Sequence, residues 1–270
     1  MCLVLKISRA GYYKWLCREP VQQELESNAL LEQTITLYTR FKGIYGYRRI
    51  TLNLNRQPNT HYNVKRIRRL MRAANLRAVI RRKKKTYIPS KPQITAENIL
   101  DRNFEAEQIN EKWLTDVTEF KYGNGQKAYL SAILDLGDNS IVAYVLGHNN
   151  NNDLVFKTFD LAIKDNLEAS PLFHSDRGFQ YTSSIFRAKL DQAGCTQSMS
   201  RVGRCIDNGP MEGFWGTLKC EMYYLNKFDT YDELELAIGE YIHFYNYDRY
   251  QAKLNGLAPF EFRNQAVDVA

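Results

Sequence analysis

Hydrophobic positions fall into two regimes along the chain. Up to about residue 75 they recur at helical spacing. Leu30, Leu31, Ile35 and Leu37 suggest a helix from about Glu24 to Phe41, ended by Tyr45-Gly46-Tyr47. Ile50 and Leu54, one turn apart, predict a second helix over 47–55. After the turn Gln57-Pro58-Asn59-Thr60, Asn63 is an N-cap for a third, with the apolar stripe Val64, Ile67, Leu70 and Met71. Asn75 suits a left-handed stop. From residue 113 the pattern shortens. Residues 113–122, 128–136 and 140–148 read as strands joined by Gly123-Asn124-Gly125 and Gly137-Asp138-Asn139, a β-meander. Helix (153–164), strand (171–175) and helix (182–193) follow, then helices over 212–221 and 231–245. The order predicts a mixed α/β sheet flanked by helices, preceded by a small all-α unit.

Charge sharpens this division. The net charge of +7 conceals a stretch, residues 33–96, that holds 17 Lys and Arg and no Asp or Glu; the remainder has 20 basic and 30 acidic residues. A solvated surface mixes signs, so the basic front reads as a nucleic-acid face. Lys65, Arg66, Arg68, Arg69 and Arg72 lie off the apolar stripe of the third helix, and three short helices with a basic last one fit a helix-turn-helix. A bundle whose arginines touch only phosphates fits equally. The run Arg81, Arg82, Lys83, Lys84, Lys85 reads as a phosphate-tracking linker, and residues 86–105, with Pro89 and Pro92, as a domain boundary. The segment Ser8 to Trp15 reads as an aromatic cap on some other element.

Other features narrow the class. No apolar run approaches the roughly 18 residues needed to span a bilayer. The five cysteines form no CxxC pair, which suggests reduced thiols and a cytoplasmic protein. The four histidines stand at no zinc spacing.

Three acids stand out, each with an ordinary explanation available. Asp116 sits within a strand, where an uncompensated charge is costly unless that face is solvated. Asp176 ends a strand in His174-Ser175-Asp176-Arg177-Gly178, where α/β sheets bind ligands and where turns also use Asp. Glu212 opens a helix after Asp207-Asn208-Gly209-Pro210, where it could simply complement the helix dipole. Glu221 competes with it. Lys219, seven residues on from Glu212, shares its helix face, while Glu221 points about 180° away, which favours Glu212. Trp113 and Trp215 read as core. His174 could approach a metal or simply pack. Asn208 could order the loop before Glu212 or form a turn.

Together the motifs resemble a family. Trp113 to Thr118, His174 to Tyr181, Ser198 to Arg201, Asp207 to Glu212, Leu218-Lys219 and Glu221 are similar to the second-frame product, OrfB, of two-frame insertion-sequence transposases. Tyr45 to Ile50, Val64 to Met71, Tyr245-Asn246, Arg249 and Leu254 to Phe260 resemble the same family, so the likeness spans nearly the whole chain. Gly213 stands where the family commonly has Ser, and Gln251 or a polar neighbour where it usually has His.

The resemblance implies an RNase H-like catalytic core similar to retroviral integrases. It divides the chain into an N-terminal segment (1–22), a basic helix-turn-helix-like domain (23–90), a linker (91–107), the core (108–225) and a C-terminal helical segment (226–270). It implies a metal-dependent DNA transposase in which Asp116, Asp176 and Glu212 hold two Mg²⁺ or Mn²⁺ ions, hard cations that prefer carboxylate oxygens. Lys219 and Arg177 become candidate phosphate ligands. The expected partners are double-stranded DNA, further copies of this chain and the first-frame product, OrfA. An RNase H-like nuclease without strand transfer, or a helix-turn-helix regulator, is the alternative.

Overall fold

The computed structural model describes residues 7–19, 21–58, 60–79, 96–201 and 205–267. The chain divides into two compact units, 1–79 and 80–270. The basic run 81–85 lies outside the described residues.

The first unit is all-α: α1 (Arg9–Leu16), α2 (Gln22–Arg40), α3 (Tyr47–Asn55) and α4 (Val64–Ala73). α4 forms where its cap residues dictate. Asn63 Oδ1 accepts the Lys65 N–H at 2.8 Å. At the other end Asn75 adopts φ 57°, and the Leu76 N–H returns to the Met71 carbonyl at 2.8 Å, closing a Schellman motif. Ile67 and Met71 are buried with Leu30, Ile50 and Leu54. Phe41 and Tyr45 stack at 4.0 Å between centroids in the loop after α2. The aromatic segment near the start is itself a helix, α1, capped by Ser8 and with no buried residue; Tyr13 and Trp15 are about 60% exposed. Among the described residues α1 thus contributes no buried side chain to the core.

The second unit is built on five strands, β1 (Lys112–Tyr122), β2 (Gln126–Asp135), β3 (Ile141–Gly147), β4 (Leu172–Ser175) and β5 (Thr196–Met199), in the order β3-β2-β1-β4-β5. The first three form the expected antiparallel meander, and β4 and β5 run parallel to β1. The β1–β2 turn fits its sequence, since Gly123 (φ 49°) and Gly125 (φ 96°) take the left-handed conformations it needs. β5 is too short and polar, Thr-Gln-Ser-Met, to announce itself as a strand.

Helices cover both faces of the sheet. On one face α5 (Asn152–Asp165) and α6 (Ser184–Gln192) place Val155, Phe159, Phe186 and Leu190 against Trp113, Ile133 and Phe173. On the other, α7 (Gly209–Glu221) and α8 (Tyr231–Tyr247) place Met211, Trp215, Leu218, Ile238 and Tyr241 against Leu114, Phe120, Leu130 and Ala132. The segment 226–270 thus packs its first helix into the core. Its second, α9 (Pro259–Val267), sends Arg263 into buried Asp135, at 2.7 Å, and Asp138. Asn246 of α8 pairs with both the N–H and the carbonyl of Ile141, at 2.9 and 3.0 Å, as a neighbouring strand would.

Candidate active site

Strand register brings the two aspartates together. In the parallel β1–β4 pair Leu114 lies beside His174, so two residues further on Asp116 comes level with Asp176, just past the end of β4. Asp116 belongs to the β1 face that carries Leu114 and Phe120. Most of that face lies under α7 and α8, and Asp116 itself is half-buried. A fully solvated face therefore does not account for its charge.

Asp116 Oδ1 accepts the Val117 N–H at 2.8 Å, and Oδ2 accepts the Trp215 indole N–H at 3.0 Å. Burial pushes its carboxyl up to about 7, and the charges of Asp176 and then Glu212 add to the rise. Asp176 is also raised by burial, opposed by the Gly178 N–H on Oδ1 at 2.8 Å. A Cβ at Gly178 would stand 2.8 Å from Gln180 Oε1 and 3.0 Å from Asp176 Oδ1, so a larger residue would have to displace one of these side chains.

Glu212 stands exposed in the first turn of α7, after a 3₁₀ turn at Cys205–Asn208 and with Pro210 fixing the start. Asn208 does order this entry, donating from Nδ2 to the Thr115 carbonyl at 3.0 Å. Asp207, fully buried, accepts from Arg102 Nε (2.7 Å), the Arg201 backbone and guanidinium (2.9–3.0 Å) and Asn98 (3.2 Å). Arg201 and then Arg102 hold its carboxyl well below the usual range. Glu221 is engaged by other partners. It receives Arg249 through two bonds at 2.8 and 2.9 Å, and the Tyr241 hydroxyl at 2.8 Å.

The other expected residues fall at various distances from these acids. Lys219 lies on the same β1 face, donating to Thr118 Oγ1 at 2.5 Å with its ammonium 5.1 Å from the Phe120 ring centre. Arg177 donates from Nε to the Ser200 carbonyl at 2.6 Å, while its buried Nη1 has no partner among the described residues. His174 is not turned to the acids. It is fully buried between Ser198 Oγ (2.9 Å) and Ser200 Oγ (3.0 Å). Ser198 already accepts the N–H groups of Ile99 and Leu100, so its own proton goes to His174 Nδ1 and the ring stays neutral.

Burial holds the His174 pKa down at about 4. Unfolded, it would titrate near 6.5. The native state therefore binds fewer protons between those values. His174's share of the stability is complete above about pH 6.5 and falls as the pH drops towards 4, by at most ~3 kcal/mol. Asp116, raised to about 7, gains stability over the same window, so the His174 share is read as the difference between wild type and His174→Asn: the wild-type advantage in urea midpoint should shrink from pH 7 to pH 5.

Sequence reading missed Trp215 as more than core, and Thr118 and Thr115 as contacts of α7. The available signal was phase, since Asn208, Glu212, Trp215 and Lys219 share one helix face.

The acids fit a divalent cation by their chemistry, being hard oxygen donors in a partly desolvated place where unneutralised charges repel. No three His, Cys, Asp or Glu side chains among the described residues form a ready cage.

In the first unit, Lys65, Arg68, Arg69 and Arg72 form one exposed stripe along α4, spaced i, i+3, i+4, i+7. Arg68 also lies over the Tyr47 ring at 5.6 Å. Arg66 turns aside to Ser27 of α2 at 3.4 Å.

A mixed five-stranded sheet with a meander, two parallel strands and acids gathered where β1, β4 and α7 meet defines an RNase H-like integrase core. The comparisons agree. The Integrase core domain family matches residues 106–205, a second Integrase core domain family matches 212–267, and the HTH-like domain family matches 26–84. The InsK protein of insertion sequence element IS150 from Escherichia coli K12, named as a transposase, is 43% identical over 85% of this chain and 81% of its own length. The transposase InsF for insertion sequence IS3A of the same organism is 29% identical over 98% of this chain and 93% of its own. The HTLV-2 integrase catalytic core domain in complex with magnesium aligns at 20% identity and a TM-score of 0.48, over 58% of this chain and 99% of its own. The chain belongs to the insertion-sequence transposases of the DDE type, as the OrfB product, and its function is DNA transposition. No helix among the described residues is long and apolar enough to cross a membrane.

Proposed function

We propose that Asp116, Asp176 and Glu212 are the catalytic carboxylates of this transposase and hold two divalent ions, Mg²⁺ or Mn²⁺. The observation that carries this is the β1–β4 register, which sets Asp116 level with Asp176 at the sheet end to which the start of α7, bearing Glu212, is bonded through Asn208 and Trp215. When bound, the ions supply charge stabilisation at the attacking and leaving oxygens of a phosphodiester. The chain's own residues do the rest. Asp116 and Asp176 are held by backbone N–H groups, so their carboxylates are oriented before DNA arrives. Lys219 and Arg177 flank them as phosphate ligands, each exchanging an internal partner for DNA. The same site serves water, which frees a 3′-hydroxyl at the element end, and then that hydroxyl, which attacks target DNA. Each attack forms one P–O bond and breaks another, and no covalent enzyme link is needed.

The stripe Lys65, Arg68, Arg69 and Arg72, with Arg66 at its edge, holds duplex DNA by its phosphates, as do Arg81, Arg82, Lys83, Lys84 and Lys85 further along the sequence. Replacing the four stripe residues by Ala should weaken DNA binding and reduce the slope of log K against log [salt] by up to about 4. An unchanged slope would remove α4 from the interface. Transposition joins two ends, so at least two copies of the chain act together. Partnership with or fusion to OrfA supplies specific recognition of those ends, and the complex works on bacterial DNA in the cytoplasm.

The deciding experiment is strand transfer on labelled element ends, with and without Mg²⁺, for the wild type and Asp176→Asn, each alone and fused to OrfA. Metal-dependent joining lost in Asp176→Asn supports the reading. Cleavage without joining would leave a nuclease.

A further inference from the structure

We propose that Trp215 is a positioning residue for Asp116, fixing its carboxylate in the orientation that receives a divalent ion and tying that orientation to the helix bearing Glu212. This rests on the reading that Asp116 is a metal ligand.

The geometry starts from the indole. Trp215 Nε1–H donates to Asp116 Oδ2 at 3.0 Å. The Val117 N–H takes Oδ1 at 2.8 Å. Each oxygen thus accepts one protein hydrogen bond, which leaves about two of the roughly four acceptor sites of a carboxylate for other ligands. An indole N–H only donates, so it favours the ionised carboxylate and cannot compete for a cation.

The ring cannot easily leave. Trp215 is 6% exposed, lies among the core residues of α7 and α8, and packs 5.1 Å from the Phe214 ring. Lys219 of α7 is bonded to Thr118 of β1. Nearer Glu212, two further bonds stitch this helix to β1: that of Trp215, and that of Asn208, at the helix N-cap, to the Thr115 carbonyl. The two lie four residues before and three residues after Glu212, on its side of the helix. Glu212 is therefore seated between bonds that end on Asp116 itself and on the residue before it. A shift of α7 that moved Glu212 would have to break one of them. Hydrogen bonds to a ligating carboxylate are worth about 10–100-fold in metal affinity. Phe would fill most of the ring's volume but donate nothing.

The test measures Mn²⁺ binding to the full chain without DNA, by loss of the free-ion electron paramagnetic resonance signal. Wild type, Trp215→Phe and Asp116→Asn are compared, with melting temperatures alongside. Trp215→Phe should bind Mn²⁺ about tenfold or more weakly while melting close to wild type, and Asp116→Asn should bind more weakly still. Wild-type affinity in Trp215→Phe, with Asp116→Asn impaired, overturns the positioning role and leaves the carboxylate site standing. Wild-type affinity in Asp116→Asn overturns the metal reading, and this proposal with it.

A second measurement does not depend on Trp215→Phe folding. The chain has three tryptophans, Trp15, Trp113 and Trp215. Trp15 is exposed, and Trp113 donates to Asn110 Oδ1 at 3.2 Å. In a ¹H–¹⁵N spectrum the Trp215 indole signal should be slow to exchange and should move with Asp116→Asn and with Mg²⁺, while the other two stay in place. A Trp215 signal indifferent to Asp116→Asn overturns the proposal.

Discussion

Glu212→Gln is expected to lower strand transfer by about three orders of magnitude or more while leaving the melting temperature nearly unchanged. The change keeps the size of the side chain and removes its charge. Glu212 is exposed in the first turn of α7, where such a change usually shifts stability by no more than about 0.5 kcal/mol, or roughly 1–2 °C. Its effect should therefore fall on the reaction. Joining of labelled element ends and a thermal melt on one preparation would check both halves. Near-normal joining would remove Glu212 from the catalytic set.

Nine residues along the same helix, the opposite outcome is expected of the Glu221–Arg249 pair. Both side chains are about nine-tenths buried, and their two hydrogen bonds are 2.8 and 2.9 Å long. Arg249→Ala would take the guanidinium and its two hydrogen bonds away from the Glu221 carboxylate, which keeps the Tyr241 hydroxyl. Breaking a buried pair from one side costs about 3–5 kcal/mol. For a unit of this size that lowers the melting temperature by roughly 6–20 °C. Replacing both partners with apolar residues of similar volume, Glu221→Leu with Arg249→Met, should recover much of the loss. An Arg249→Ala protein that melts like wild type would mean the pair is solvated in solution. Loss of stability at Glu221 and loss of reaction at Glu212 would separate two acids that sequence separates only by helical phase.

That phase argument shows what one dimension can convey. Asn63, Asn75, Gly123, Gly125 and Pro210 act through their own backbone geometry, so the elements they start or stop were legible. The α3 limits, Tyr47–Asn55, fall where the pattern set them. β5 was not legible, because four residues with three polar side chains become a strand only beside β4. α9 was missed for a similar reason. Its Arg263 is meaningful only against Asp135 and Asp138, more than a hundred residues earlier.

Sequence determined the basic front and acidic back, the element order, and the three acids with their motifs, since charge, period and capping are local properties. Tertiary structure decided what those acids are to one another. Asp116 shares a face of β1 with Leu114 and Thr118 in either reading, and only the packing of α7 and α8 over that face partly desolvates its charge. Only the register of β1 against β4 sets Asp176 beside it. The indole of Trp215, apolar core by every sequence measure, becomes a hydrogen-bond donor because the start of α7 is stitched to β1 through Asn208. Burial and pairing across distant segments set the electrostatics of the site, and neither is written at any single position.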